Sequence, residues 1–146
     1  MIKVQEGIYF SANKEDMDVK MIFNFIKNSY WGYFRTFEEQ KIALENSMNF
    51  GLFCENKQIA FARVMTDFAF FAYLLDVFVV NEHRGKGYSK LLLENIFNYP
   101  TLKSVDKWML ATKDAHGLYA KFQFEPLKKP EFIMEKMSER LKIIFQ

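Results

Sequence analysis

The stretch from residue 70 to residue 98 constrains the fold of this chain more than any other part of the sequence. Residues 70–80 are almost wholly apolar and rich in β-prone side chains, which is typical of a central strand covered on both faces. A basic turn with two glycines follows, and residues 87–98 then place apolar side chains on one face of a helix. The sequence therefore predicts a strand, a glycine-containing turn and a helix in succession.

The turn has the features of an anion-binding site. Gly85 and Gly87 allow the backbone to approach a ligand closely and leave several amide groups pointing the same way. The positive end of the following helix dipole attracts a pyrophosphate, and so do the side chains of Arg84, Lys86 and Lys90. Neither the Walker pattern nor the three-glycine dinucleotide fingerprint is present, so neither an ATPase nor a dehydrogenase is indicated. The expected ligand is a diphosphate.

The chain before this stretch predicts one strand, two helices and a hairpin. Residues 7–11 read as a short strand, and apolar side chains on one face then predict a helix that ends near Ser29. Thr36 and Glu39 have the spacing of a capping box, which predicts a second helix over roughly residues 37–48. An antiparallel hairpin follows, with runs over residues 49–55 and 58–67 separated by the polar pair Asn56-Lys57.

The chain after this stretch predicts a strand, a short helix and two closing strands. The strand covers residues 108–112, and the helix covers residues 116–122. The closing strands are expected over residues 124–127 and 132–136. From Lys136 onward the pattern is ambiguous between strand and helix.

Size, charge and cysteine content narrow the class of protein. A length of 146 residues with 50% hydrophobic side chains predicts one domain over residues 1–146. The net charge of +2 gives no reason to expect nucleic-acid binding. The longest apolar run, residues 68–75, is far shorter than the roughly 20 residues that span a bilayer, so no membrane partner is expected. Cys54 is the only cysteine and no signal-peptide pattern begins the sequence, which favours a cytoplasmic location.

Two short motifs resemble those of the GNAT superfamily of N-acetyltransferases. The basic turn is similar to the coenzyme A motif Gln/Arg-x-x-Gly-x-Gly/Ala, with Ser89 where glycine or alanine is usual; it reads Arg84-Gly85-Lys86-Gly87-Tyr88-Ser89. Because serine is small, access for the pyrophosphate is expected to be preserved. About thirty residues later, Leu118 and Tyr119 begin a stretch similar to the signature Leu-Tyr-x-x-x-Gly-Phe, with Gln123 at the glycine position. Two partial motifs in the right order are much harder to obtain by chance than either alone.

The resemblance implies both a fold and an activity. The implied fold is α/β (α+β), a mixed, mostly antiparallel twisted sheet of six to seven strands flanked by about four helices. The implied activity is transfer of an acetyl group from acetyl-coenzyme A to an amine of a small molecule or protein by direct attack, without a metal, in a monomer or homodimer. The alternative is a non-catalytic module of the same fold that binds or senses coenzyme A.

The resemblance also implies where acetyl-coenzyme A binds. The backbone of residues 77–80 would pair with the pantetheine arm, while the strand that ends at Thr112 splays away and leaves an opening for the thioester. The amide of Val79 or Val80 would polarise the thioester carbonyl. The full set of expected cofactor-binding residues is Phe78, Val79, Val80, Arg84, Gly85, Lys86, Gly87, Tyr88, Ser89 and Lys90.

Tyr119 and Asp76 are the candidate catalytic residues. By resemblance Tyr119 is the acid for the leaving thiolate, with a core tyrosine as the alternative. Asp76 is a candidate base, because a carboxylate in an apolar strand must be paired or have a raised pKa. Pairing of Asp76 with Arg63 or a backbone amide is the equal alternative. Asp67 and Glu82 are weaker candidates for the base.

The aromatic segment, defined as residues 30–35, is the candidate acceptor site. It occupies the region that forms the acceptor wall in the GNAT family, so Tyr30 and Trp31 are candidate substrate-binding residues, with plain core packing as the alternative. His83 and His116 are too far apart and too poorly accompanied to suggest a metal site.

Overall fold

The computed structural model describes residues 1–145. These residues form two compact units, Met1–Ala111 and the chain from Thr112 onward. The first unit contains the whole sheet and three helices, and the second contains two short helices. The prediction of a single domain stays a prediction.

The first unit is built on one six-stranded sheet. Neighbouring strands follow the order of the sequence, and every pair is antiparallel except the last, β5 with β6. This confirms the mixed, mostly antiparallel sheet, with the lower of the two predicted strand numbers. The strands are β1 (Ile2–Gln5), β2 (Ile8–Ser11), β3 (Met48–Cys54), β4 (Lys57–Thr66), β5 (Phe71–Val79) and β6 (Lys107–Leu110).

Five α-helices accompany the sheet in the described part of the chain. The capping box that opens the second helix is confirmed, since Thr36 accepts from the Glu39 amide and Glu39 accepts from the Thr36 amide. No helix in residues 1–145 is long and apolar enough to cross a bilayer. The helices are α1 (Val19–Lys27), α2 (Phe37–Glu45), α3 (Tyr88–Phe97), α4 (His116–Ala120) and α5 (Glu139–Ile144).

The helices of the first unit bury its core against the sheet. In α1 and α2, apolar side chains form one buried cluster with three phenylalanines, one from each of β3, β4 and β5. Helix α3 packs on the same three strands and buries Leu92, Leu93 and Ile96. Each such side chain contributes about 1.5–3 kcal/mol when fully buried. The members from α1 and α2 are Ile22, Ile26 and Leu44, and the phenylalanines are Phe53, Phe61 and Phe78.

The β3–β4 hairpin is confirmed, but its turn lies one residue earlier than predicted. Cys54 pairs directly with Lys57, so the turn residues are Glu55 and Asn56. Both have positive φ, 51° and 64°, as a type I′ turn requires. At the N-terminus, β1 pairs with β2 and adds a strand that the sequence pattern did not reveal.

The two closing strands predicted over residues 124–127 and 132–136 are wrong. Residues 124–129 are irregular, Pro130–Phe132 form a 3₁₀ turn and Glu139–Ile144 form α5. Pro126 lies within the first range and cannot donate to a strand ladder, and Pro130 begins the 3₁₀ turn that extends to Phe132 at the start of the second range.

Candidate active site

Strand β5 carries a bulge at its only buried carboxylate. Phe61 pairs with Phe78 and Arg63 pairs with Leu75, so two residues of β5 lie opposite one residue of β4. Asp76 is one of the two, and its φ of 54° lies in the left-handed region. The bulge interrupts the regular alternation of the strand at this point.

Asp76 is held by two arginines. Arg35 donates from Nη1 to Oδ2 at 2.8 Å and from Nη2 to Oδ1 at 3.0 Å, which is a bidentate pair. Arg63 donates from Nε to Oδ2 at 2.9 Å. The Asp76 side chain is only 2% exposed. Each arginine also makes a hydrogen bond to a second residue. Arg35 donates to Gln40 Oε1 and Arg63 donates to Ser47 Oγ, each at 3.0 Å.

This network contradicts the raised pKa expected for Asp76. Burial raises the pKa of the carboxyl, but the hydrogen bonds and charges of Arg35 and Arg63 outweigh it and lower the pKa below its ordinary value. The alternative of pairing with Arg63 is confirmed. Arg35, the second partner, was missed because it lies 41 residues away in the sequence.

The two weaker carboxylate candidates, Asp67 and Glu82, both lie at the surface. Oδ1 of Asp67 accepts hydrogen bonds from the amides of Ala69, Phe70 and Phe71, and these bonds lower the pKa of Asp67. Asp67 thus orders the β4–β5 loop. Glu82 lies exposed in the 3₁₀ turn Asn81–His83.

Strands β5 and β6 part before β5 ends. Their parallel pairing runs from Phe71 opposite Lys107 to Leu74 opposite Leu110, while β5 continues to Val79. The Val80 amide donates to the Ile59 carbonyl at 2.9 Å. The expectation that Val80 polarises the thioester is therefore wrong, and the Val79 amide is the remaining candidate.

The basic turn between β5 and α3 is held open. Gly85 and Gly87 have φ of 77° and 80°, and a Cβ built on either glycine would meet no heavy atom within 4 Å. Gly87 is the N-cap of α3, and no side chain caps that end of the helix. The first amides of α3 therefore face a space without a side-chain acceptor, at the positive end of the helix dipole. This arrangement fits a pyrophosphate.

The side chains around the turn are partly fixed. Arg84 donates from Nε to the Val79 carbonyl at 3.3 Å and lies 5.9 Å from the Phe25 ring centroid. That ring stacks on Phe78 with centroids 3.9 Å apart. Phe78 is thus a core residue, and Arg84 is drawn to the end of β5.

The other charged and hydroxyl groups of the turn lie at the surface. Lys86 is exposed, and Lys90 lies 4.0 Å from Glu94 with both side chains about half exposed. Ser89 is half-buried in the first turn of α3, and the Tyr88 ring lies 6.1 Å from the His83 ring.

Tyr119 lies in α4 of the second unit. It is 8% exposed, and its ring meets the Phe124 ring edge-on with centroids 5.9 Å apart. Burial raises the pKa of Tyr119 to about 12, so the hydroxyl stays protonated at neutral pH. Gln123 has φ of 68°, the conformation for which glycine is preferred at this position of the signature.

The aromatic segment is divided between surface and core. Tyr30 is 56% exposed, whereas Trp31 packs against the buried cluster of α1 and α2. The Arg35 guanidinium lies 5.6 Å from the Trp31 ring centroid, within cation–π range. Among residues 1–145, no group of three or more His, Cys, Asp or Glu side chains is arranged to hold a metal ion.

Comparison with known proteins identifies the class of this chain. The sequence profile of the acetyltransferase (GNAT) domain matches residues 45–126. A GNAT-family protein from Xanthomonas campestris pv. campestris is 39% identical, with a TM-score of 0.87 over 90% of this chain and 93% of that one. The chain belongs to the GNAT family and is an acetyltransferase that uses acetyl-coenzyme A.

More distant structures share the fold. A Staphylococcus aureus protein of unknown function, described as a probable acetyltransferase, is 20% identical with a TM-score of 0.70, over 90% of this chain and 98% of that one. A protein from Clostridium acetobutylicum, classed as a predicted acetyltransferase and determined with acetyl-coenzyme A, is 16% identical with a TM-score of 0.65, over 89% and 96%. No curated protein sequence matches the chain significantly.

Proposed function

We propose that this acetyltransferase moves the acetyl group of acetyl-coenzyme A directly to an amine of a small molecule or protein. The observation that carries the proposal is the open basic turn, where Gly85 and Gly87 have positive φ and no heavy atom lies within 4 Å of a Cβ built on either. Such space beside uncapped helix amides suits the pyrophosphate of coenzyme A.

The turn and the end of β5 hold the two halves of acetyl-coenzyme A in this proposal. The amides of residues 87–90 and the side chains of Arg84, Lys86 and Lys90 bind the pyrophosphate. The backbone of residues 77–79 pairs with the pantetheine arm, because this part of β5 extends beyond its pairing with β6. The Val79 amide then donates to the thioester oxygen.

The reaction needs a neutral amine and a stabilised leaving group. The amine nitrogen forms a bond to the acetyl carbon, the carbon–sulfur bond breaks, and its electron pair goes to sulfur. Tyr119 is assigned as the donor to that sulfur on its motif and its protonated state. Its pKa of about 12 exceeds the ordinary thiol value of about 8.5, so the sulfur is stabilised by a hydrogen bond before any proton moves.

No side chain is assigned as the base. Asp76 is saturated by Arg35 and Arg63 and has a lowered pKa, so its carboxylate is a poor proton acceptor. The proton of the amine passes to water in this proposal. The acceptor itself is expected to lie against Tyr30 and Trp31.

The test combines thermal unfolding with acetyl-coenzyme A and thiol release across a panel of amines. Saturation at about 100 times Kd adds roughly 2.7 kcal/mol to the free energy of unfolding, which raises Tm. Tyr119→Phe is expected to lower turnover by about 100-fold or more and to leave the Tm shift unchanged. Tyr99→Phe is the control, since Tyr99 packs on Phe50 and has no assigned role.

Each outcome decides between the candidate functions. Amine-dependent thiol release that is lost in Tyr119→Phe supports the proposal. A Tm shift without thiol release for any amine selects the coenzyme A sensor instead. If Tyr119→Phe turns over at the wild-type rate, Tyr119 is not the donor.

A further inference from the structure

The buried ion pairs of Asp76 connect the sheet to the aromatic segment. Arg63 belongs to β4 and Asp76 to the bulge of β5, whereas Arg35 is the last residue of the aromatic segment. The hydrogen bonds from Arg35 to Asp76 therefore link the segment to the point where β5 bulges.

The two arginines differ in what they secure. The second hydrogen bond of Arg63 goes to Ser47 Oγ, in the connection between α2 and β3, so Arg63 ties the sheet to the end of α2 and not to the aromatic segment. The second hydrogen bond of Arg35 goes to Gln40 of α2, and its guanidinium lies over Trp31. Arg35 thus joins the sheet, α2 and the aromatic segment.

The backbone of the aromatic segment makes local hydrogen bonds. The Tyr33 amide donates to the Ser29 carbonyl at 3.1 Å, and the Arg35 amide donates to the Gly32 carbonyl at 3.1 Å. Such bonds fix the shape of the segment but not its place relative to β5. The charged pair with Asp76 adds a defined position and direction to the packing of Trp31 on the buried cluster, because a bidentate fork fixes both.

We propose that Asp76 is a positioning residue that acts through Arg35 to hold Tyr30 and Trp31 in place for the acceptor amine. This inference rests on the proposed function, because it assigns the acceptor to the aromatic segment. Asp76 itself takes no proton and touches no substrate. Loss of the Arg35 link leaves the turn before α3 intact, so acetyl-coenzyme A binding is unaffected while acceptor binding weakens.

A purely structural role makes a different prediction. If the ion pairs only stabilise the fold, loss of either arginine lowers Tm and alters the kinetics in parallel. If Arg35 positions the acceptor segment, its loss changes KM for the amine and loss of Arg63 does not. Arg63→Met is therefore a matched control, since it removes a partner of the same carboxylate.

The experiment compares Arg35→Met with Arg63→Met. We expect Arg35→Met to raise KM for the amine about 10-fold to 100-fold, as misplaced binding groups do, with an unchanged Kd for acetyl-coenzyme A. Arg63→Met is expected to change KM less than twofold. Arg35→Lys keeps the charge but loses the fork and should fall between wild type and Arg35→Met. If a methionine variant does not fold, Arg35→Lys and Arg63→Lys give the same comparison.

A second measurement does not depend on activity. In a Trp108→Phe background, Trp31 is the only tryptophan, and acrylamide quenching of its fluorescence reports its exposure. Quenching should increase in Arg35→Met and stay near the background value in Arg63→Met. Equal KM changes and equal quenching in the two variants would overturn the inference. If the parent protein acetylates no amine, the proposed function fails, whereas the quenching comparison still decides whether Arg35 holds the segment.

Discussion

Two polar regions of the first unit differ in whether the chain itself satisfies their hydrogen-bonding groups. They are Asp76 and the turn before α3. The Asp76 carboxylate is surrounded by donors from Arg35 and Arg63 and is almost inaccessible to water. The turn from Gly85 to Lys90 presents amides without a side-chain cap to open space. The chain itself completes the hydrogen bonding of the first region, and it leaves the second open to a ligand.

The difference teaches how to separate a stabilising group from a binding group in this fold. A carboxylate that already pairs with arginines of the same chain is a poor proton acceptor for a substrate, as the lowered pKa of Asp76 indicates. Donors that the chain leaves unsatisfied at a helix end are available to an anion. Variants of Asp76 should therefore lose stability, whereas variants of the turn should lose affinity for acetyl-coenzyme A.

Asp76→Asn should give the largest effect, and that effect should be on stability. Asparagine keeps the shape and tolerates the positive φ, but it leaves Arg35 and Arg63 without a counter-charge. We expect the free energy of unfolding to fall by about 3–5 kcal/mol. Urea denaturation at pH 7 measures it. Asp67→Asn is the control, since its carboxylate is exposed and should matter less; equal losses would contradict the comparison.

The Asp76 effect should depend on pH in a defined direction. Because the folded-state pKa is lowered, the stabilisation is fully present above the ordinary aspartate value of about 3.9 and is lost as pH falls toward the folded value. The stability difference between wild type and Asp76→Asn should thus be constant from about pH 5 to 7 and shrink below about pH 4.

Gly87→Val should give the next largest effect, on affinity. Valine at φ of 80° is strained, and its side chain occupies the space assigned to the pyrophosphate. We expect calorimetry to give an acetyl-coenzyme A affinity at least about 100-fold weaker, or roughly 2.7 kcal/mol. Gly7→Val is a matched control, because Gly7 has φ of 77° and equally open surroundings in the β1–β2 turn. If both variants bind normally, the turn is not the cofactor site.

Lys86→Gln should give the smallest effect. An exposed charge contributes about 0.2–1 kcal/mol, so affinity for acetyl-coenzyme A should fall by about 1.4-fold to fivefold. The difference should narrow at high salt, where exposed charges are screened. Lys3→Gln is the control: Lys3 lies exposed on β1 and pairs with Glu6, so its loss should leave the affinity unchanged. A salt-independent loss would mean that Lys86 acts by packing instead of charge.

The fold follows from the sequence where signals are local. The capping box of Thr36 and Glu39 and the apolar periodicity of α3 each lie within a dozen residues, and both are confirmed. The prediction of two closing strands was wrong because a strand forms only when a neighbouring strand pairs with it. The apolar pattern of one segment does not show whether such a neighbour is present.

The candidate site follows from the sequence only in part. The glycines of the turn can be identified from the sequence because glycine is the residue that adopts positive φ without steric cost. The partner Arg35 and the left-handed φ of Asp76 were not, because both arise when distant parts of the chain meet. A buried carboxylate alone does not reveal whether it is paired or free.

The φ of 54° at Asp76 narrows the sequences that can occupy this bulge. Glycine, asparagine and aspartate enter the left-handed region at low cost, and of these only aspartate supplies a negative charge to Arg35 and Arg63. Glutamate carries the charge but is disfavoured at this φ, whereas asparagine tolerates this φ but carries no charge. In a saturation library selected for folding, position 76 should therefore accept fewer replacements than the neighbouring positions of the same strand.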